Sequence, residues 1–211
     1  MAGKHFCVSF ADSRDAKTCL EIGQSVMWDN GAFTTYTSGK VFDHLAYYDW
    51  LQDKLGHPHW AVIPDVIGGD EKQNKEFLNT WPYPNYFGVP VWHLHLGLDY
   101  LVYLCENYPK VCFGSSGQYW QVGSRSWEER VNEAFNMLDR KFKTLPWIHM
   151  LRGLNMTGKH YPFASADSVN VSRNYKSSKR CPEKMAREID SVQCPIRWNE
   201  IKTKQLNLID L

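Results

Sequence analysis

Residues 60–70 read Trp60-Ala61-Val62-Ile63-Pro64-Asp65-Val66-Ile67-Gly68-Gly69-Asp70. An apolar run of this length, rich in β-branched residues, is a buried strand, and Pro64 stops it. Asp65 is the first polar group past the strand end. Gly68-Gly69-Asp70 then signals a turn and a helix cap, and a helix is expected over Asp70–Asn79. The unit is strand, polar terminus, turn, helix, and it recurs along the chain. Further strands are expected at His5–Phe10, Ser25–Trp28, Pro90–His95, Lys110–Gly114, Trp147–Arg152 and Phe163–Ala166. Helical patterns cover Phe42–Lys54, Asp99–Asn107, Ser126–Phe142 and Pro182–Ile189. In Ser126–Phe142, Ser126 and Glu129 have capping-box spacing, and Val131, Ala134, Phe135 and Leu138 form an apolar face.

Alternation on this scale indicates an α/β fold with parallel strands. Polar residues follow the strands at Asp12, Asp29, Asp65, His95, Ser115, Arg152 and Asp167. In a barrel of parallel strands these positions share one rim around one pocket. An open doubly wound sheet also gathers polar groups at strand ends, but no phosphate-loop or dinucleotide glycine signature supports it. The expectation is a compact (β/α)8-type, TIM-like barrel with an incomplete or irregular final unit. Residues 1–175 would form the barrel, and residues 176–211 a basic tail packed on it.

Aromatic residues make up 14% of the 211-residue chain and apolar residues 43%, which excludes a disordered chain. Most of the nine tryptophans and eleven tyrosines belong to a core, with a few left to stack on a flat ligand. A net charge of +1 excludes a general polyanion binder, so any nucleic-acid contact must come from a local patch. No apolar run reaches bilayer length, and Met1–His5 has no signal-peptide character, so no membrane partner and a cytoplasmic location are expected. Of six cysteines, Cys7, Cys105 and Cys112 sit in apolar stretches and read as small buried hydrophobes. Cys181 and Cys194 lack knuckle spacing, so no metal is assigned.

Two motifs concentrate the chemistry. Trp28-Asp29-Asn30-Gly31-Ala32-Phe33 and Ala166-Asp167-Ser168-Val169-Asn170-Val171-Ser172-Arg173-Asn174 each deliver an aspartate from a strand end into a turn. Paired carboxylates on separate strand ends suit glycosidic-bond chemistry, one attacking the sugar carbon and one handling the leaving group's proton. Gly31 permits a left-handed turn and close backbone approach. On spacing alone Asp29 also reads as a turn or cap residue, and Asp65 as a loop aspartate. A carboxylate at Asp65 matches the paired N–H donors of a guanine-like base. His93 and His95, two apart on one strand, share a face; hydrogen bonding suits them better than metal binding, with His95 nearer the strand end. Phe113-Gly114-Ser115-Ser116-Gly117 is a small-residue turn able to contact a base. Arg173, Lys176, Lys179 and Arg180 form either a phosphate-binding cluster or a solvated basic surface.

In order along the chain, these motifs resemble the tRNA-guanine transglycosylase superfamily, in particular its phage and bacterial DNA-modifying branch. Trp28–Phe33 resembles Asp-Ser-Gly-Gly-Phe. Cys112–Ser116 resembles the Gly-Gly-Leu turn. Ile148–Leu154 resembles His-Leu-Met-Gly-Val-Gly, and Asp167–Asn174 resembles Asp-Cys-Val-Leu-Pro-Thr-Arg-Asn. The resemblance spans residues 25 to 175. The zinc subdomain of the tRNA enzymes is absent and the chain is shorter than they are, which points to DNA rather than tRNA. The resemblance implies exchange of guanine in the nucleic acid for a free 7-deazaguanine base, without metal or organic cofactor. Asp167 is then the nucleophile and Asp29 the general acid and base. Phe33, Asp65, His95, Gly114, Ser115 and Arg152 bind the base, and Arg173, Lys176, Lys179 and Arg180 the phosphates. A hydrolase using water as acceptor and a non-catalytic nucleic-acid-binding module are the rival expectations.

Overall fold

The structure is a computed structural model and describes residues 1–174, 176 and 181–199. It is a mixed α/β fold with eight parallel strands: β1 (His5–Ser9), β2 (Ser25–Asp29), β3 (Trp60–Val62), β4 (Gly88–Val89), β5 (Val91–His93), β6 (Lys110–Gly114), β7 (Trp147–Met150) and β8 (Ser165–Ala166). They form two four-stranded parallel sheets, β1-β2-β3-β4 and β5-β6-β7-β8. Eight α-helices lie among the described residues: α1 (Ala16–Ile22), α2 (Ala32–Thr37), α3 (His44–Leu51), α4 (Glu71–Thr80), α5 (Leu98–Asn107), α6 (Arg125–Lys141), α7 (Asn170–Asn174) and α8 (Pro182–Asp190).

One extended segment joins the sheets. The carbonyls of Phe87 and Val89 accept from Ala61 and Ile63 on the β3 side, while the carbonyl of Pro90 accepts from Cys112 on β6. Proline has no N–H to give, so the ladder breaks at residue 90 and one strand counts as two. The expected strand over Pro90–His95 is corrected accordingly: it begins two residues earlier and ends at His93. Gly88 is required in this segment, because a Cβ there would lie 2.5 Å from Trp81 Nε1. Strand order follows chain order from β1 to β8, and no β8–β1 pairing occurs among the described residues.

Alternate residues of these strands enter two different apolar clusters, which is why the strands read as unbroken apolar runs. Val26, Trp28, Ala61, Ile63, Val111, Phe113, Ile148 and Met150 join the large helix-facing core. Met27, Trp60, Val62, Val89, Val91 and Cys112 form a smaller cluster drawn from both sheets, with Trp147 and Leu151 packed against it. Trp60 of β3 meets Trp147 of β7 edge to face at 5.7 Å, and Lys110 lies over both rings. Cys112 is buried and Cys105 half-buried, as their apolar settings suggest; Cys7 on β1 keeps some accessible surface, yet protein surrounds its thiol closely enough that burial raises its pKa.

Helix α6 carries the expected buried face, with Val131, Ala134, Phe135 and Leu138 fully covered. Its cap is corrected by two residues: Ser124, not Ser126, accepts from the N–H of Trp127. Gly123, at φ 82°, turns the chain into the helix ahead of the position that the Ser126–Glu129 spacing suggests, and Glu129 pairs with Arg125 instead. The short helices α1, α2 and α7 lie outside the sequence expectation. Helix α4 has a full capping box between Asp70 and Gln73. Among the described residues no helix is long and apolar enough to cross a membrane.

The segment after residue 176 belongs to the main core as far as it is described. Trp198 stacks on Phe135 at 5.2 Å, and its indole N–H donates to Asn136 Oδ1 at 2.7 Å. Lys4 on the N-terminal side pairs with Asp190 at the end of α8. Trp198→Ala should therefore destabilise the whole fold, by about 3 kcal/mol from lost burial and the cavity left behind. For a domain of this size that lowers the melting temperature by roughly 6–12 °C in a thermal scan.

Candidate active site

The site is assembled at the C-terminal ends of β2, β3, β5, β6, β7 and β8. Packing contacts from the helices fix those ends. Tyr47 of α3 places its hydroxyl 2.9 Å from the carbonyls of both Trp28 and Val62, tying together the strands that deliver Asp29 and Asp65. Arg130 of α6 donates to the carbonyls of Leu94 and Leu96, holding the turn after His93, and lies over the Trp92 ring. Trp127 of the same helix donates to Ser115 Oγ at 2.9 Å. These bonds satisfy backbone and hydroxyl groups that the strand ends would otherwise leave unpaired.

A cleft of about 420 Å³, counting its open mouth, lies among these ends. Asp29, Phe33, Asp65, Gly114, Ser115 and Arg152, all expected at the site, are in its wall. His93 is there too, in place of the expected His95. The strand ends at His93, so the side chain of His95 leaves the sheet; it is exposed, and its Nε2 lies 2.9 Å from the Gly69 carbonyl. The two imidazoles still stack, with centroids 5.7 Å apart. Ser115 is already committed on both sides, its hydroxyl to Trp127 and its carbonyl to the Arg152 guanidinium at 2.6 Å.

Three aspartates occupy three different environments. Asp29 follows Trp28 on β2 and accepts from the N–H of Gly31 at 3.1 Å. Gly31 takes φ 74° and caps α2, the left-handed turn its sequence context implies. Burial pushes the Asp29 carboxyl up to about 6; the hydrogen bond from Ser9, its register partner on β1, opposes this, and the nearby charges of Asp167 and Asp65 add to it. Asp65 accepts from Asn30 Nδ2 at 2.7 Å and faces His93 Nε2 at 2.8 Å. Asp167 follows β8 and accepts from the backbone N–H of Arg152 at 2.8 Å, with His149 Nε2 at 3.3 Å.

Arg152 is the strained residue of the site. Its φ of 57° is the only positive value at a non-glycine position among the described residues. That conformation costs a side-chain-bearing residue on the order of 1 kcal/mol. It aims the Arg152 N–H at Asp167 while the guanidinium lies 4.2 Å from the Phe33 ring centroid and bonds to Ser115. Burial lowers the guanidinium's affinity for its proton, opposed by the charges of Asp167 and Asp29.

Sequence reasoning missed Asn30, His93 as the wall residue, His149 and Ser116. His149 is buried, its Nδ1 lying 2.6 Å from Ser165 Oγ on the paired strand. A signal for it was present: it alternates with Ile148 and Met150 on β7, so it must leave the helix-facing core and point inward. Arg173 and Lys176 are exposed, while Lys179 and Arg180 lie outside the described residues. Among the described residues, no group of three His, Cys, Asp or Glu side chains is placed to hold a metal ion. No family model, no curated protein and no solved structure matches the chain.

The raised carboxyl of Asp29 makes a signed prediction. A carboxyl that binds its proton more tightly folded than unfolded stabilises the fold below about pH 4, and that contribution is lost as pH rises through about 6. Urea unfolding of the wild type and Asp29→Asn should therefore show the variant gaining in relative stability between pH 4.5 and pH 7.5. A difference that does not change with pH over that window would contradict a protonated Asp29.

Proposed function

We propose that this protein is a base-exchanging transglycosylase, replacing guanine in DNA with a 7-deazaguanine derivative, and that its strands wrap as a compact (β/α) barrel. The observation that carries the reading is the pairing of Asp29, whose carboxyl keeps its proton toward neutral pH, with the neighbouring Asp167, whose charge it feels. Asp29 lines the cleft and Asp167 is bonded to Arg152 of the same wall; a proton donor beside a nucleophile is what cleavage and re-formation of an N-glycosidic bond require. The barrel is supported by the strand order running in sequence and by the apolar cluster to which both sheets contribute.

In this scheme the target nucleotide turns out of its stack into the cleft. An Asp167 carboxylate oxygen attacks C1′ of the sugar. The C1′–N9 bond breaks, its electron pair leaves with the guanine, and Asp29 gives the departing base its proton. The incoming 7-deazaguanine then loses its N9 proton to Asp29. Its N9 attacks C1′ and expels the Asp167 carboxylate, which returns both aspartates to their starting state. Asp65 reads the base edge, and Phe33, 47% exposed at the mouth, offers a stacking face. Arg152 must leave that face when a base arrives. The left-handed backbone of Arg152 falls where the resembled His-Leu-Met-Gly-Val-Gly stretch has its first glycine, which supports the alignment of that motif.

DNA is taken as the substrate because the motifs resemble the DNA-modifying branch of the tRNA-guanine transglycosylase superfamily. Exposed Arg173 and Lys176 follow Asp167 closely enough to meet phosphates flanking the flipped sugar. Incubation with labelled guanine or 7-cyano-7-deazaguanine, on duplex DNA and on tRNA in parallel, tests the reading. Label should enter DNA, and Asp167→Asn should lower incorporation by at least about a thousandfold, as loss of a nucleophile does. Label entering tRNA alone would move the substrate; release of free guanine without incorporation would establish a hydrolase.

A further inference from the structure

We infer that His93 is the positioning residue that sets base selectivity at this site, by holding Asp65 as a fixed pair of acceptors; the inference rests on the transglycosylase reading. Asp65 and His93 are both nearly enclosed, with side chains 9% and 4% exposed. A carboxylate oxygen only accepts, so the contact of 2.8 Å requires the proton on His93 Nε2. In the tautomer that carries its proton on Nε2, Nδ1 accepts, and Ser116 Oγ lies 3.4 Å from it. The other Asp65 oxygen is held by Asn30. The orientation of that amide is settled by its own partners, since Oδ1 accepts from the N–H of Ala32 at 2.8 Å and Nδ2 also reaches the Ile63 carbonyl.

Two clamps on two oxygens fix the plane of the carboxylate. Each oxygen retains a lone pair, so the group presents two adjacent acceptors. That pattern fits the N1–H and 2-amino donors of guanine and its 7-deaza analogues. Hypoxanthine lacks the second donor, and adenine offers an acceptor at N1. A buried polar pair left half-matched discriminates strongly, where an apolar wall does not. Gly114 makes room for the arrangement: a Cβ there would stand 2.9 Å from His93 Nδ1.

Calorimetric binding of free guanine and free hypoxanthine to the full chain tests this, with folding of each variant checked by circular dichroism. The wild type should favour guanine by at least about tenfold. His93→Leu should bring that preference below about threefold, and His93→Gln, whose amide N–H replaces Nε2–H, should restore most of it. A merely structural role would weaken both bases equally and leave the ratio unchanged. A folded His93→Leu that keeps the wild-type ratio overturns the inference while leaving the transglycosylase reading in place. A wild type that binds no guanine removes both. Nitrogen NMR of the wild-type imidazole gives a check without substitution: a proton on Nε2 and a bare Nδ1 are expected, and the opposite tautomer contradicts the role.

Discussion

Three carboxylates gathered at the ends of parallel strands cannot all be treated alike, and the rest of the site follows from how they are told apart. Burial penalises the charged form of Asp29, and the nearby charges of Asp167 and Asp65 add to that. Asp65 and Asp167 each receive a backbone or amide donor and lie against a buried histidine. For Asp29 the Gly31 N–H and Ser9 oppose burial without overcoming it, and its carboxyl is pushed up to about 6. Asp29 is thus set apart from the other two by its surroundings. The proposed roles of acid, base reader and nucleophile follow that difference in environment.

The scaffold serves this arrangement by fixing the strand ends from outside. Apolar side chains alternate between the helix-facing core and the small cluster shared by both sheets, and the polar groups of the site gather toward the strand ends. Tyr47, Trp127 and Arg130 then reach from helices to the strand ends with buried or part-buried hydrogen bonds. A positioning error of an ångström at such a site is costly, and side chains locked by packing prevent it. The strained backbone at Arg152 is part of the same design, because the N–H it turns toward Asp167 is a fixed donor.

Much of this was legible in the sequence, for definite reasons. Strands such as Trp60–Val62 are buried on both faces and read as apolar runs, and the aspartates at their ends stand out against them. Asp29, Phe33, Asp65, Gly114, Ser115 and Arg152 do share one cleft, and Asp167 lies beside Arg152. What escaped depends on geometry that spacing does not carry. Whether His93 or His95 enters the cleft turns on a strand ending two residues earlier than alternation implies. His149 was hidden because a histidine in an apolar run looks like any core residue. The Ser124 cap was missed because Ser126 with Glu129 offered a better-known pattern. Pro90 split a strand whose carbonyls go on pairing to either side of it.

The most direct measurement is capture of the covalent intermediate. The protein is incubated with DNA in the absence of free base, quenched in denaturant, digested, and its peptides analysed by mass spectrometry. The account predicts a deoxyribose-linked adduct on the peptide containing Asp167, with guanine released in equal amount. An adduct on any other residue, or guanine release with no adduct at all, would contradict it.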